Sequence, residues 1–162
     1  MEFFFPCWIA LSSIFSPQTA LSKTYFNKVS RTFADRMEIC SNVATAAAKR
    51  NHDPVLFIAI SVTETGFTNT KSKKGARGPL GVIPKYHCPK KGKCDYINAG
   101  IDAFEKARNF VKSDDLCQTL AVYNRGVEKG KCKEGRSEYN YAQYILNLYD
   151  RICAVSDLCE RC

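Results

Sequence analysis

Glu64 is the only acid between Pro54 and Lys71, and it ends a run, Val55-Leu56-Phe57-Ile58-Ala59-Ile60-Ser61-Val62, that is apolar nearly all round. A carboxyl at the end of such a segment is costly to ionise, because burial removes the water that would solvate its charge. The partial negative charge at a helix C-terminus pushes the same way. A group so placed keeps its proton toward neutral pH and can give it to a leaving oxygen, the part a general acid plays in glycoside cleavage. The plainer reading has Glu64 emerging into solvent where the helix stops, and these residues alone leave both readings open.

Cysteine is the second residue type with chemistry to offer. The 162-residue chain has nine cysteines and two histidines, His52 and His87. Cys159 and Cys162 form a C-x-x-C, but a zinc site needs a second such pair or histidines at ligand spacing, and neither histidine stands in a ligand-like repeat. Disulfides are the expected use, with no metal and no cofactor. Cys88 and Cys94 enclose a short loop rich in Lys and Gly and form the most natural local bridge. The remaining connectivity is open.

These residues need elements to hold them, and the elements read as helices. Asp35 to Arg50 carries a small-residue face of Val43, Ala44, Ala47 and Ala48. Asn51-His52 ends it, and Asp53 with Pro54 is an N-cap followed by proline at the first helical position. That second helix runs from Pro54 to about Thr65, where Gly66 stops it. A turn-rich, Lys-rich loop follows, then a short helical start near Leu80 ending at Pro84. Asp95 caps a third helix through about Phe110. A fourth covers Asp115 to Tyr123 and breaks at Gly126, and the last covers Ser137 to Ile152, with Tyr144 and Tyr149 expected in the core. Strand-like alternation is scarce, so the fold class is mainly α.

The N-terminal stretch differs. Phe3 to Phe15 is almost wholly apolar and is followed by Ala20-Leu21-Ser22, the layout of a secretory signal peptide of residues 1–22 ahead of a single domain, 23–162. It departs from that layout in carrying Glu2 and no early Lys or Arg. Its removal takes Cys7 away and leaves eight cysteines, an even number suited to an exported, disulfide-bonded domain. Residues 1–22 hold one acid and no base, so removal also raises the net charge from +8 to +9. A basic surface favours polyanionic partners. No nucleic-acid-binding motif accompanies the charge, so nucleic acid is not expected as a partner, and no amphipathic basic helix recommends a membrane-active toxin.

Against this background, His52-Asp53-Pro54-Val55-Leu56-Phe57-Ile58-Ala59-Ile60-Ser61-Val62-Thr63-Glu64-Thr65-Gly66-Phe67 resembles the start of the lytic-transglycosylase catalytic domain, where a D-P-x-L helix runs into an E-S-G-F-like end. Gly75-Ala76-Arg77-Gly78-Pro79-Leu80-Gly81-Val82-Ile83-Pro84 resembles the family's G-A-x-G-L-M-Q-x-M-P block, and Ile97-Asn98-Ala99-Gly100-Ile101 its N-I-x-x-G helix. Leu120-Ala121-Val122-Tyr123-Asn124-Arg125-Gly126 resembles A-x-A-Y-N-A-G. Tyr141-Ala142-Gln143-Tyr144-Ile145-Leu146-Asn147-Leu148-Tyr149 is similar to the closing Y-V-x-x-V-x-x-Y helix. Each block is short. What identifies the resemblance is five of them in family order between about residues 35 and 152.

The resemblance implies a lysozyme-like α fold of the goose-type/transglycosylase-like kind, with a groove for the glycan strands of peptidoglycan. It implies Glu64 as catalytic acid and base, cleaving the β-1,4 bond between N-acetylmuramic acid and N-acetylglucosamine with a 1,6-anhydro product. Substrate-contacting positions carry over to Thr65, Gly81, Tyr123, Asn124 and Tyr141, where tyrosine rings suit sugar faces. The family works with one essential carboxylate, whereas two-carboxylate glycosidases need a partner acid. Two positions depart from the pattern. Thr65 replaces Ser and keeps the hydroxyl; Gly81 stands where the family has a substrate-contacting Gln. Either a neighbour supplies that contact, or the groove takes a different glycan, or activity is impaired. The expected protein is exported (periplasmic, envelope-bound or secreted), monomeric and not inserted in a membrane once processed. The alternatives are a hydrolytic lysozyme on the same scaffold and a wall-binding protein with impaired catalysis.

Overall fold

A computed structural model describes residues 2–14, 23–69, 71–90, 92–156 and 159, with residues 23–31 described by backbone alone. Seven helices follow in chain order among the described residues: α1 (Phe4–Ser12), α2 (Lys23–Lys49), α3 (Pro54–Thr65), α4 (Pro84–His87), α5 (Tyr96–Val111), α6 (Leu116–Arg125) and α7 (Ser137–Cys153). The only strand-type pairing among these residues is an isolated bridge between Arg77 and Val82. The chain is mainly helical, as its sequence pattern requires.

α3 is the element around which the others assemble, and its residues explain why. Asp53 accepts hydrogen bonds from the Val55 and Leu56 N–H groups at 2.8 and 3.4 Å, and Pro54 fills the first helical position, where no N–H is needed. Gly66 closes the helix in the left-handed region at φ +61° and returns its N–H to Val62. Between these caps every residue from Val55 to Val62 is buried. No polar face exists to leave in water, so α1, α2 and α7 pack around it. Tyr149 of α7 donates to Asp53 Oδ2 at 2.6 Å, tying the closing helix to the start of α3.

The second layer is α5, α6 and α7. Phe104 of α5 meets Phe57 of α3 edge-on at 5.2 Å and Tyr123 of α6 at 6.1 Å. At the end of α2, Arg50 reaches Asp102 and Glu105 of α5 at 2.6 and 2.7 Å, and His52 Nε2 lies 2.8 Å from Glu105. The loop between α3 and α4 lies against α5 at Gly100, where a Cβ would collide with the side chain of Leu80. That contact sets the loop beside the end of α3.

Four disulfides join Cys7–Cys40, Cys88–Cys94, Cys117–Cys132 and Cys153–Cys159. The Cys88–Cys94 bridge is the one expected from spacing. Cys162 lies outside the described residues, as does the expected cleavage site at residues 20–22. Residues Phe4–Ser12, read as part of a removable leader, are folded as α1 in the whole chain, with Cys7 bonded to Cys40. Four disulfides suit an oxidising, extracytoplasmic environment. No helix among the described residues is long and apolar enough to cross a membrane.

Three local expectations are corrected. α2 starts at Lys23, twelve residues before the expected Asp35. Pro84 begins α4 instead of ending a helix, since its fixed φ suits a first turn as well as a stop. Tyr144, expected in the core, is 54% exposed on the outer face of α7, whereas Tyr149 packs inward.

Candidate active site

The end of α3, the loop after it, the start of α4 and the end of α6 enclose a groove of about 610 Å³. Glu64, Thr65, Gly81, Tyr123 and Asn124 all line it. Among its lining residues Glu64 is the one carboxylate.

Each side of the Glu64 carboxyl is accounted for. Tyr141 of α7 donates its hydroxyl to Oε1 at 2.6 Å. Oε2 lies against Gly81, in the place a Cβ on that residue would occupy, with Cδ only 3.0 Å from that Cβ position. Gly81 also holds φ +64°, a conformation that costs other residues strain. A glycine is therefore required twice over, once by the backbone and once by the carboxylate beside it.

The loop is fastened to α3 by hydroxyls. Ser61 and Thr65 both donate to the Pro79 carbonyl at 3.0 Å, and Thr65 Oγ1 accepts from the Thr68 N–H at 3.2 Å. Thr65 thus lines the groove while its hydroxyl is engaged with backbone. Tyr123 donates to the Leu80 carbonyl at 2.6 Å, fixing the residue before Gly81 from the other side. Arg36 of α2 donates to the Gly66 carbonyl at 3.0 Å, so the turn that carries Glu64 is bonded outward as well.

Electrostatics follow from this packing. Burial raises the Glu64 pKa above the ordinary carboxyl value, and the Tyr141 hydrogen bond opposes part of the rise by favouring the carboxylate. Tyr141 and Tyr123 are pushed well above the ordinary phenol value, first by burial and then by the charge of Glu64. Both phenols therefore stay protonated and act as donors. The arrangement is a partly shielded carboxylic acid, oriented by a permanent donor, opening onto a groove of the size of a small-molecule site.

All the residues singled out from sequence gather here. Glu64, Thr65, Gly81, Tyr123 and Asn124 line the groove, and Tyr141 stands behind Glu64. Lys74 and His87 also line it and were not singled out. Lys74 was hidden in a run of lysines that reads as solvated loop. His87 was discounted because a lone histidine beside a cysteine resembles no ligand pattern. Burial and the neighbouring Lys106 lower its pKa, Asp102 opposing, so it faces the groove as a neutral imidazole near pH 7.

No protein-family model matches this chain, and neither a curated protein nor a solved structure matches it significantly.

Proposed function

We propose that the protein is a peptidoglycan lytic transglycosylase whose general acid and base is Glu64. One observation carries the reading: a single carboxyl, raised in pKa by burial and gripped by Tyr141, stands in a groove bordered by Gly81, Tyr123 and Asn124. The ordered motif blocks that resemble the transglycosylase family support it from the sequence side. In this mechanism Glu64 gives its proton to the glycosidic oxygen between N-acetylmuramic acid and N-acetylglucosamine, and the C1–O bond breaks. The resulting carboxylate then takes the proton from the C6 hydroxyl of the muramoyl sugar. That oxygen bonds to C1, giving a 1,6-anhydro end and regenerating the acid. The hydroxyl of Tyr141 steadies the carboxylate between the two transfers. The phenol stays protonated, so it donates throughout.

The four disulfides support placement in an oxidising compartment outside the cytosol, where peptidoglycan lies. A hydrolytic lysozyme uses the same acid and differs only in water attacking C1. The missing Gln side chain at Gly81 favours the wall-binding alternative, in which the groove holds glycan without cutting it. We expect the purified protein to clear a peptidoglycan suspension and Glu64→Gln to lose that activity by a factor of at least about 10³, the scale of a lost general acid plus a lost base. Mass spectrometry of the fragments then decides the reaction. Anhydro ends are expected, reducing ends would make the protein a hydrolase, and binding without clearing would make it a wall-binding protein.

A further inference from the structure

Arg125 stands where the A-x-A-Y-N-A-G block it belongs to carries alanine, and it lines two cavities at once. One is the groove that holds Glu64. The other, of about 580 Å³, is walled by Arg125, Lys129, Lys131 and Arg136, with Glu128 and Glu138 as its acids. Four cations thus face two carboxylates in a pocket that begins where the catalytic groove ends.

The cations are held in place. Glu138, 5% exposed, takes Arg136 Nη1 at 3.6 Å on Oε1 and Arg125 Nε at 3.9 Å on Oε2. Arg125 Nη2 also donates to Ser137 Oγ at 3.1 Å, and Ser137 donates to Glu138 Oε2 at 3.0 Å. One buried carboxylate therefore orients two guanidiniums whose side chains remain about half exposed, at 47% and 51%. The lysines sit on a loop that is equally fixed. Gln118 donates to the Gly130 carbonyl at 2.8 Å and accepts from the Cys132 N–H at 2.9 Å, and Cys132 is bonded to Cys117 of α6. Two forked donors set side by side with their outer edges open, flanked by two lysines, form a preorganised receptor for carboxylates.

We propose that this pocket binds the carboxylates of the stem peptides attached to the muramoyl sugars of the strand in the catalytic groove, with Arg125 as the junction between the two. The proposal rests on the peptidoglycan reading of the Glu64 groove and names the part of that substrate the second cavity takes. A neutral sugar face would call for aromatic walls, and this pocket has none among the residues that line it. A short peptide with free carboxylates suits its volume, its polarity and its sign.

The test uses the Glu64→Gln full chain, so that binding is read without cutting, and two soluble probes: glycan strands with stem peptides and the same strands stripped by an amidase, with the lactyl carboxylates this exposes then blocked as methyl amides. Stem-bearing strands should bind at least tenfold more tightly, with the difference shrinking as salt is raised. Lys129→Gln with Lys131→Gln, both exposed and outside the Glu138 cluster, should remove most of the difference, and so should Arg136→Gln in a sample whose melting temperature is unchanged. Equal affinity for both probes, or an undiminished preference in the Lys129→Gln/Lys131→Gln variant, would overturn the proposal. So would displacement of stem-bearing strands by poly(glycerol phosphate) at lower concentration than by free stem peptide. Cutting by the protein with Glu64 intact separates the two readings: cleavage without stem preference overturns only the pocket, and stem-selective binding without cleavage overturns only the enzyme.

Discussion

At the scale of single residues, the Glu64 carboxyl is defined by what presses on each oxygen. Gly81 is the sharper case, because a departure from a motif here coincides with a space that Glu64 itself fills. Gly81→Ala puts a methyl group where Oε2 lies and imposes left-handed strain of about 1 kcal/mol. The carboxyl must swing away from its Tyr141 donor, and we expect clearing activity to fall at least tenfold. Gly92→Ala is the control: φ +96° gives it comparable strain, but open space surrounds it, so stability should drop slightly and activity should hold. A Gly81→Ala variant as active as its parent would show that the carboxyl is not confined. Tyr141 is tested by pH. In the proposed reaction the acid must be protonated to act, so kcat/KM is expected to fall as pH rises through the Glu64 pKa. Burial sets that pKa high and the Tyr141 hydroxyl pulls it down. Tyr141→Phe removes the pull, so the falling limb should move to higher pH even as the maximum drops. A limb that moves to lower pH, or stays fixed, would remove the hydrogen bond from the mechanism. The apolar run before Glu64 left open whether its carboxyl is buried or emerges into solvent, and the packing around it decides for burial. Its contact with Tyr141 was not legible, because 77 residues separate the two and local periodicity carries no information about such a pair.

At the scale of elements, α3 was readable to the residue because its signals agree: a side-chain cap, a proline at the first position, an unbroken apolar run and a glycine stop. α4 was misread because proline both starts and ends helices, and only the packing of the chain before it separates the two uses. α2 extends to Lys23 through a stretch in which Phe26, Val29 and Phe33 recur at i, i+3 and i+7, a helical spacing that reading the helix from Asp35 passes over. The loop that carries Gly81 shows no regular pattern, and its position came from hydroxyls and glycines reaching other elements, which a one-dimensional reading registers only as turn formers. The start of α3 is held by one side chain that can be tested directly. Asp53 serves two orphan N–H groups and the Tyr149 hydroxyl. Asp53→Ala should cost about 2 kcal/mol, the sum of a cap and a hydrogen bond, and Asp53→Asn, which keeps the cap, less than half of that. Urea melts with an unchanged m-value would measure it. Equal losses in both variants would place the effect outside the cap.

At the scale of the molecule, the disulfides and the basic charge decide where the fold can work, and the N-terminal segment decides how much of the chain takes part. Cys7, Ala10 and Leu11 of α1 are fully buried against the rest of the core. The Cys7–Cys40 bridge closes 33 residues. In the chain-entropy account a bridge of that span stabilises by about 3–4 kcal/mol. The leader reading gives the same segment a transient life: cleavage near Ser22 removes Cys7 and α1 together and leaves Cys40 to another partner. One substitution addresses both. In protein refolded with residues 1–22 present, as checked by intact mass, Cys7→Ser should lower stability by about 3–4 kcal/mol in denaturant melts. In protein recovered after export and shown by N-terminal sequencing to begin near Lys23, the same substitution should be silent, and the eight remaining cysteines should carry no free thiol. An exported chain that still begins ahead of Phe4 and is destabilised by Cys7→Ser would make α1 a permanent wall of the fold, with the staple to α2 holding it against α3. In that case the apolar run that resembles a leader owes its composition to the core it enters.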